Sequence, residues 1–248
     1  MTIFTTFNKD IYDFSGKHLI ESIKNHAPTT KIIAYKEFDE DINVESVDIR
    51  AIPALQQVIN DNLDIIHESF GGHATEFNKE AFWNTRWPGW FRKVVMAHHA
   101  IYNNQHENYL IFVDSDIRFK KQITTDVLRD LMNDKPIGII QGYRPQVESG
   151  IIVLDAQHNA SRKFYTYFMN CFLSGNFRSY KRWDDIYVMT KIINSCPPAW
   201  FHDFAKNQQP QKHTNSNGHT TNNQIIPFSE LQQYIEHDKG IHVRNNIQ

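Results

Sequence analysis

Two carboxylates with one residue between them, Asp114 and Asp116, follow directly on an unbroken apolar run, Tyr109-Leu110-Ile111-Phe112-Val113. Hard oxygen donors at this spacing suit Mn²⁺ or Mg²⁺, and such an ion can in turn hold a diphosphate. The preceding run does not alternate, which marks a strand covered on both faces, as at the centre of a parallel α/β sheet. Such sheets bind ligands at the carboxyl ends of their strands, so the pair stands where chemistry is usually placed. The competing role of an isolated Asp-x-Asp is to shape a turn by side-chain to backbone hydrogen bonds. Two other acidic motifs fail. An EF-hand loop wants an acidic or Asn ligand where Arg118 stands and glycine where Phe119 stands. A haloacid-dehalogenase-type phosphatase would carry Thr at the fifth position, which is again Arg118.

Other polar groups fall near predicted element ends. The helix from Gly89 to about Asn104 carries Trp90, Phe91, Val94, Val95, His98, Ile101 and Tyr102 on its apolar side, with Arg92, Lys93 and Met96 partly off it. This helix feeds into the Asp114 strand. Arg92 or Lys93 therefore either reaches the nucleotide or acidic strand end, or forms a solvated flank. Glu148-Ser149-Gly150 opens an apolar strand that runs to Asp155. Trp183-Asp184-Asp185 opens a helix over Ile186–Ile193, where capping at the positive end of the helix dipole is the competing role for both aspartates. A late His237-Asp238-Lys239-Gly240 completes the set.

The elements that must position these residues read as an α/β chain. A strand over Thr2–Phe7 leads into Asn8-Lys9-Asp10 as a turn, and Asp13 or Ser15 caps a helix bearing Leu19, Ile20 and Ile23 that Pro28 ends. A second strand at Lys31–Tyr35 makes this a βαβ start, with a nucleotide placed over Thr5, Thr6, Phe7 and Asn8. No Gly-x-Gly-x-x-Gly and no Walker loop occurs, so neither the dinucleotide nor the P-loop fold is supported. Residues 38–48 read as an acidic loop, Pro53–Ile66 as a helix broken at Gly71-Gly72, and Trp83–Trp90 as an aromatic, basic turn. Further on come an extended segment at Ile117–Ile123, a helix over Asp126–Asn133 and a buried strand from Ile137 to Tyr143. An aromatic helix over Ser161–Leu173 is closed by Gly175, and its Phe164, Phe168, Cys171 and Phe172 stripe reads as core. The polar run Lys206–Gln224 is expected to be a mobile loop, closing over a ligand or merely connecting.

Composition sets the bounds. A chain of 248 residues is expected to form one large domain, a nucleotide-binding half over about 1–120 and an acceptor half over about 121–248. A net charge of −2 leaves no polybasic footprint for nucleic acid or an anionic membrane. An aromatic share of 13% is compatible with surfaces that stack on bases or sugar rings, although most aromatics are core. Two cysteines without metal spacing, no leader pattern at Met1–Asn8 and no stretch of membrane-span length lead to the expectation of a cytoplasmic protein.

Taken in order, the βαβ start, basic helix, Asp-Ser-Asp strand end, Glu-Ser-Gly strand start, Trp-Asp-Asp helix start and late His-x-Lys-Gly resemble nucleotide-sugar-dependent glycosyltransferases of the GT-A fold, over most of the chain. The resemblance implies a Rossmann-like, mixed, mostly parallel sheet flanked by helices. It implies Asp114 and Asp116 serving the ribose and a divalent metal, His237 as third protein ligand, and Lys239, followed by Gly240, as a diphosphate clamp. Thr5, Thr6 and Phe7 would cradle the base, and Ser115 lies within the donor motif. Glu148, Ser149 and Gly150 would line the acceptor or sugar pocket, and Trp183, Asp184 and Asp185 would border the transferred sugar. The chain departs from the longer glycogenin-type ending, which leaves the stereochemical class open. In an inverting reaction Asp184 or Asp185 would deprotonate the acceptor; in a retaining one they would position the sugar. The implied activity is hexosyl transfer from a nucleotide-sugar, a UDP-sugar, with Mn²⁺ or Mg²⁺, to an acceptor the sequence does not name. The alternatives are a nucleotidyltransferase acting on a sugar phosphate, which would want a glycine-rich basic signature that residues 1–16 lack, and a non-catalytic nucleotide-sugar-binding module.

Overall fold

A computed structural model describes residues 1–62, 87–215, 218 and 220–238. Its centre is a seven-stranded sheet in the order β3-β2-β1-β4-β7-β6-β8, made of β1 (Thr2–Phe7), β2 (Lys31–Lys36), β3 (Glu45–Asp48), β4 (Tyr109–Val113), β6 (Ile137–Ile140), β7 (Glu148–Asp155) and β8 (Phe201–Asp203). β1 pairs parallel with both β2 and β4, and β2 with β3. β7 runs antiparallel to β4 and to β6, while β8 is parallel to β6. The sheet is thus mixed and mostly parallel, and the antiparallel β7 brings its first residues beside the last residues of β4, with Val113 opposite Ile151.

Alternation along the central strands divides the core between two faces. Phe4, Leu110, Phe112, Ile152 and Leu154 point into one cluster, under α3 (Pro53–Asp61), α4 (Trp87–Asn103), α6 (Asn159–Leu173) and α7 (Asp185–Asn194). Ile3, Ile111, Val113, Ile151 and Val153 point into the other, under α2 (Lys17–His26) and α5 (Thr125–Met132). The lack of alternation in the Tyr109–Val113 run has this cause: residues 110–113 are at most 4% exposed, whichever face they point to.

Several local expectations are corrected. Asn8-Lys9-Asp10 is not a turn but the start of a helical segment: the Asn8 side chain accepts from the Ile11 amide at 2.8 Å and caps α1 (Lys9–Ile11). The chain runs on through a π-helical turn (Tyr12–Gly16) into α2, so neither Asp13 nor Ser15 is the cap, and Ser15 is buried in the π turn. The acidic 38–48 loop contains edge strand β3, and α3 ends at Asp61 with Asn62 as its C-cap, while residues 63–66 of the expected helix lie outside the described residues. The strand expected from Ile137 to Tyr143 stops at Ile140, where a turn begins. Met96 lies inside the core of α4, at 3% exposure. The Lys206–Gln224 run is not structureless: β9 (Gln211–Thr214) and β10 (Thr220–Gln224) pair antiparallel. A further antiparallel pair joins β5 (Ile117–Phe119) to β11 (Ile235–His237), which docks the C-terminal segment beside the acidic strand end. The Gly71-Gly72 break and residues 83–86 of the aromatic turn lie outside the described residues, and Trp87–Trp90 belong to α4.

Candidate active site

β4 ends at Val113, and the amide of Asp114 is then fixed by the Gly150 carbonyl of β7 at 2.9 Å. A turn follows, closed by the Ile117 amide on the Asp114 carbonyl at 3.1 Å. Ser115, in the middle, is buried, and its hydroxyl lies 2.7 Å from that of Ser15. The π turn after β1 and the acidic turn after β4 are therefore pinned together.

Asp114 faces α4. Lys93 Nζ lies 2.7 Å from one carboxylate oxygen and donates to the other at 2.9 Å, and it also pairs with Asp185 at 3.1 Å. Of the two basic candidates Lys93 reaches the strand end, while Arg92 turns away to Glu37, 2.5 Å distant. Burial works against the Lys93 ammonium, but Asp114 and Asp185 together outweigh it and hold the group above its ordinary value. Burial, aided by Asp116 and Asp185 and opposed by Lys93, pushes Asp114 up to about 6. These three side chains open on a cleft that Thr6 and Ser149 also line, floored by Phe112, Ile152, Tyr165, Phe168 and Met189. The hydroxyls of Thr5 and Thr6 are buried and have no hydrogen-bond partner among the described residues. Of the two, Thr6 lines the cleft, where an unused donor beside a largely apolar floor suits a ligand that combines hydroxyls with a ring face.

Asp116 faces the other way. Its carboxylate lies 3.1 Å from His237 Nε2, and its carbonyl accepts the Asp238 amide at 2.7 Å. Asp238 is buried, pairs with Arg118 at 3.3 Å and accepts from Asn215 of the segment between β9 and β10. Arg118 also donates to the Ser115 carbonyl at 2.7 Å. Among the described residues no three His, Cys, Asp or Glu side chains gather as a metal-binding group. Asp116 and His237 do bring a carboxylate oxygen and an imidazole nitrogen face to face, a mixed donor pair that fits Mn²⁺ better than Mg²⁺, and the buried His237 Nδ1 has no hydrogen-bond partner among the described residues. Lys239 and Gly240 lie outside the described residues.

The other residues singled out by the sequence divide between cleft and scaffold. Ser149 lines the cleft, and a Cβ built on Gly150 would sit 3.8 Å from Asp114 Oδ2. Glu148 is buried and paired with Arg144 at 2.9 Å. Asp184 is the cap of α7: it accepts from the Tyr187 amide at 3.1 Å and from Arg182 at 2.8 Å, so the capping role holds for it, whereas Asp185 projects to Lys93. Trp183 donates its indole N–H to the Tyr180 carbonyl and packs edge-on to Phe177, a supporting position. Phe7 is core, 2% exposed, and its ring packs on Tyr12, which in turn meets Phe38. The rings at this sheet edge that retain exposure are thus Tyr12 and Phe38, with Lys9 near both. Sequence reading missed them, together with Arg118, Asp238 and Asn215; the signal for Tyr12 and Phe38 was their place just beyond β1 and β2.

A scan of the sequence against protein-family models finds no match, and neither does a search of the curated proteins. Solved structures with a similar fold include mouse xyloside xylosyltransferase 1 in its apo form, at 12% identity and a TM-score of 0.49, over 82% of this chain and 84% of that one. The bifunctional glycosyltransferase WbbM matches at 14% and 0.46 over 83% of this chain, and the glycosyltransferase GlyE of Streptococcus pneumoniae TIGR4 at 12% and 0.43 over 82%. The chain spans 38% of the WbbM chain and 45% of the GlyE chain. At identities this low, the assignment of function rests on the site itself.

Proposed function

We propose that the chain is a metal-dependent glycosyltransferase that moves a hexose from a nucleotide-sugar, a UDP-sugar, onto an acceptor hydroxyl. The observation that carries this reading is the meeting of Lys93, Asp114 and Asp185 with Thr6 and Ser149 around one cleft at the carboxyl ends of the central strands. Each group has a task in such a transfer. Thr6 and Ser149 offer hydroxyls to the donor, and Asp114 accepts from a ribose or sugar hydroxyl. Asp185, in the cleft lining, is the carboxylate that would take the acceptor proton or hold the transferred sugar. Lys93 pairs with both carboxylates and fixes their rotamers, so that little reorganisation is left for the reaction. Asp116 and His237 are the residues that would hold Mn²⁺ or Mg²⁺, which when bound supplies counter-charge for the departing diphosphate.

The test is calorimetric titration of UDP with and without Mn²⁺, followed by donor hydrolysis across a panel of UDP-sugars. Metal-dependent UDP binding and slow hydrolysis of one donor are expected, and Asp116→Ala is expected to abolish the metal dependence. Unchanged affinity in Asp116→Ala with Mn²⁺ present would sink the metal assignment. Absence of UDP binding under both conditions would sink the UDP-sugar reading.

A further inference from the structure

A second feature of the same sheet edge lies outside the donor cleft. β6 ends at Ile140, opposite Glu148 of β7, and the chain then turns sharply through Gln141-Gly142-Tyr143-Arg144, closed by the Arg144 amide on the Gln141 carbonyl at 3.1 Å. This turn is held from both sides by hydrogen bonds. The Asp203 carboxylate accepts the amides of Gln141 at 2.9 Å and Gly142 at 2.8 Å. Gly142 has φ +58°, and a Cβ there would lie 2.5 Å from the Gln208 carbonyl oxygen, so glycine is required. The Tyr143 amide donates to that same carbonyl at 3.3 Å, and its hydroxyl donates to Asn207 at 3.3 Å.

The ring between these two anchors is 61% exposed, the most exposed of the large apolar and aromatic side chains among the described residues. A lone surface aromatic needs no explanation. A ring fixed at both ends, on a turn clamped by a carboxylate and shaped around an obligatory glycine, has already lost the freedom that binding would otherwise cost. It is also tied to the cleft by contact: Arg144 pairs with Glu148, Glu148 Oε1 accepts the Gly150 amide at 3.4 Å, and the Gly150 carbonyl accepts the Asp114 amide at 2.9 Å.

We infer that the Gln141–Arg144 turn is the acceptor platform and that the acceptor is a saccharide, one ring of which stacks on the face of Tyr143. The weakly polarised C–H face of a pyranose suits the electron-rich face of a phenol ring, while its hydroxyls meet the polar neighbours Asn207 and Gln141. The role as acceptor site rests on the glycosyl-transfer reading, but the sugar contact itself is measurable without turnover.

The experiment uses the full chain and a panel of gluco-, galacto- and xylo-configured di- and trisaccharides, titrated while the Tyr143 ring signals are followed by NMR. At least one sugar is expected to shift those signals saturably. Tyr143→Ala is expected to lower its affinity about tenfold, and Tyr143→Phe to stay within about threefold of wild type, because the stacking face survives. UDP affinity in Tyr143→Ala is expected to match wild type, showing that the variant is folded and its donor cleft intact. Ring signals that no sugar moves, equal sugar affinity in Tyr143→Ala, or a matched loss of UDP affinity would each overturn the inference. Failure of wild type to bind UDP would instead overturn the donor assignment and leave the sugar contact standing.

Discussion

Asp114 and Asp116 differ by two positions and live in unlike surroundings. In an extended strand residues i and i+2 share a face. Here the turn closed between Asp114 and Ile117 breaks that rule, and the two side chains find partners in opposite layers. Asp114 meets a lysine on α4 and a second carboxylate on α7, both from the helices over one face of the sheet. Asp116 meets an imidazole on β11, the strand paired with β5 on the other side. The first aspartate carries its own cation, covalently part of the protein. The second faces an imidazole across 3.1 Å and is the one we propose to hold an exchangeable ion. One motif thus has two electrostatic surroundings, a built-in counter-charge at Asp114 and, on the proposed function, a ligand pair for a divalent ion at Asp116, because a single turn separates them.

The largest way to break this contrast is Lys93→Ala. It leaves Asp114 and Asp185 facing each other with their common counter-charge removed, a loss expected to cost about 3 kcal/mol of stability by urea denaturation. Adding Asp114→Asn and Asp185→Asn to Lys93→Met is expected to restore most of it, since a neutral cluster has no charge to compensate. A loss well under about 1 kcal/mol for Lys93→Ala would show a solvent-screened surface pair instead.

A somewhat smaller effect separates the two aspartates by pH. Asp114 titrates near 6 in the fold, above the ordinary carboxylate value, and so binds its proton more tightly folded than unfolded. Its contribution to stability is therefore complete below about pH 4 and is lost as pH rises through about 6. In metal-free buffer, wild type is expected to lose on the order of 2 kcal/mol relative to Asp114→Asn between about pH 4 and about pH 7.5. Parallel stability curves for the two proteins over that range would refute the burial of Asp114 as its dominant influence.

Much of this arrangement is legible in the sequence, and the misses share a cause. The Tyr109–Val113 run and the Asp-Ser-Asp that follows it announce a doubly covered strand with two carboxylates just past its end, because burial on both faces suppresses alternation. Helix order makes Arg92 and Lys93 candidates to reach the strand end but leaves a solvated flank equally open. Which of them does so depends on the rotation of α4 about its axis, set by Phe91, Val94 and Val95 in the core. Asp184 and Asp185 are adjacent in sequence and alike in type, yet one caps α7 and the other reaches Lys93; the first turn of a helix spreads neighbouring side chains by roughly 100°. The β9–β10 hairpin was invisible because its strands are polar on both faces, leaving no period to read. Arg118, Asp238 and Asn215 come together from positions far apart in the chain through the β5–β11 pairing, which three-residue strands do not advertise.

The mildest expected effect tests whether the Asp116 side is positioned from behind. Asp238 sits behind Asp116, giving its amide to the Asp116 carbonyl and holding Arg118 and Asn215 with its carboxylate. Asp238→Asn keeps the volume and weakens the charge pairing to Arg118, so His237 and Asp116 lose alignment rather than identity. Outer partners of metal ligands typically change affinity by roughly 10- to 100-fold when altered. The low end, about tenfold weaker Mn²⁺ binding by titration calorimetry, is expected here because the Asp116 carbonyl still accepts the backbone amide. UDP affinity without metal is expected to stay unchanged, as is the pH dependence assigned to Asp114. Mn²⁺ affinity equal to wild type would show that the Asp116–His237 pair is aligned by the β5–β11 backbone alone. A loss of metal-free UDP binding would show that the two aspartates are one cooperative unit, and the contrast between them would fall.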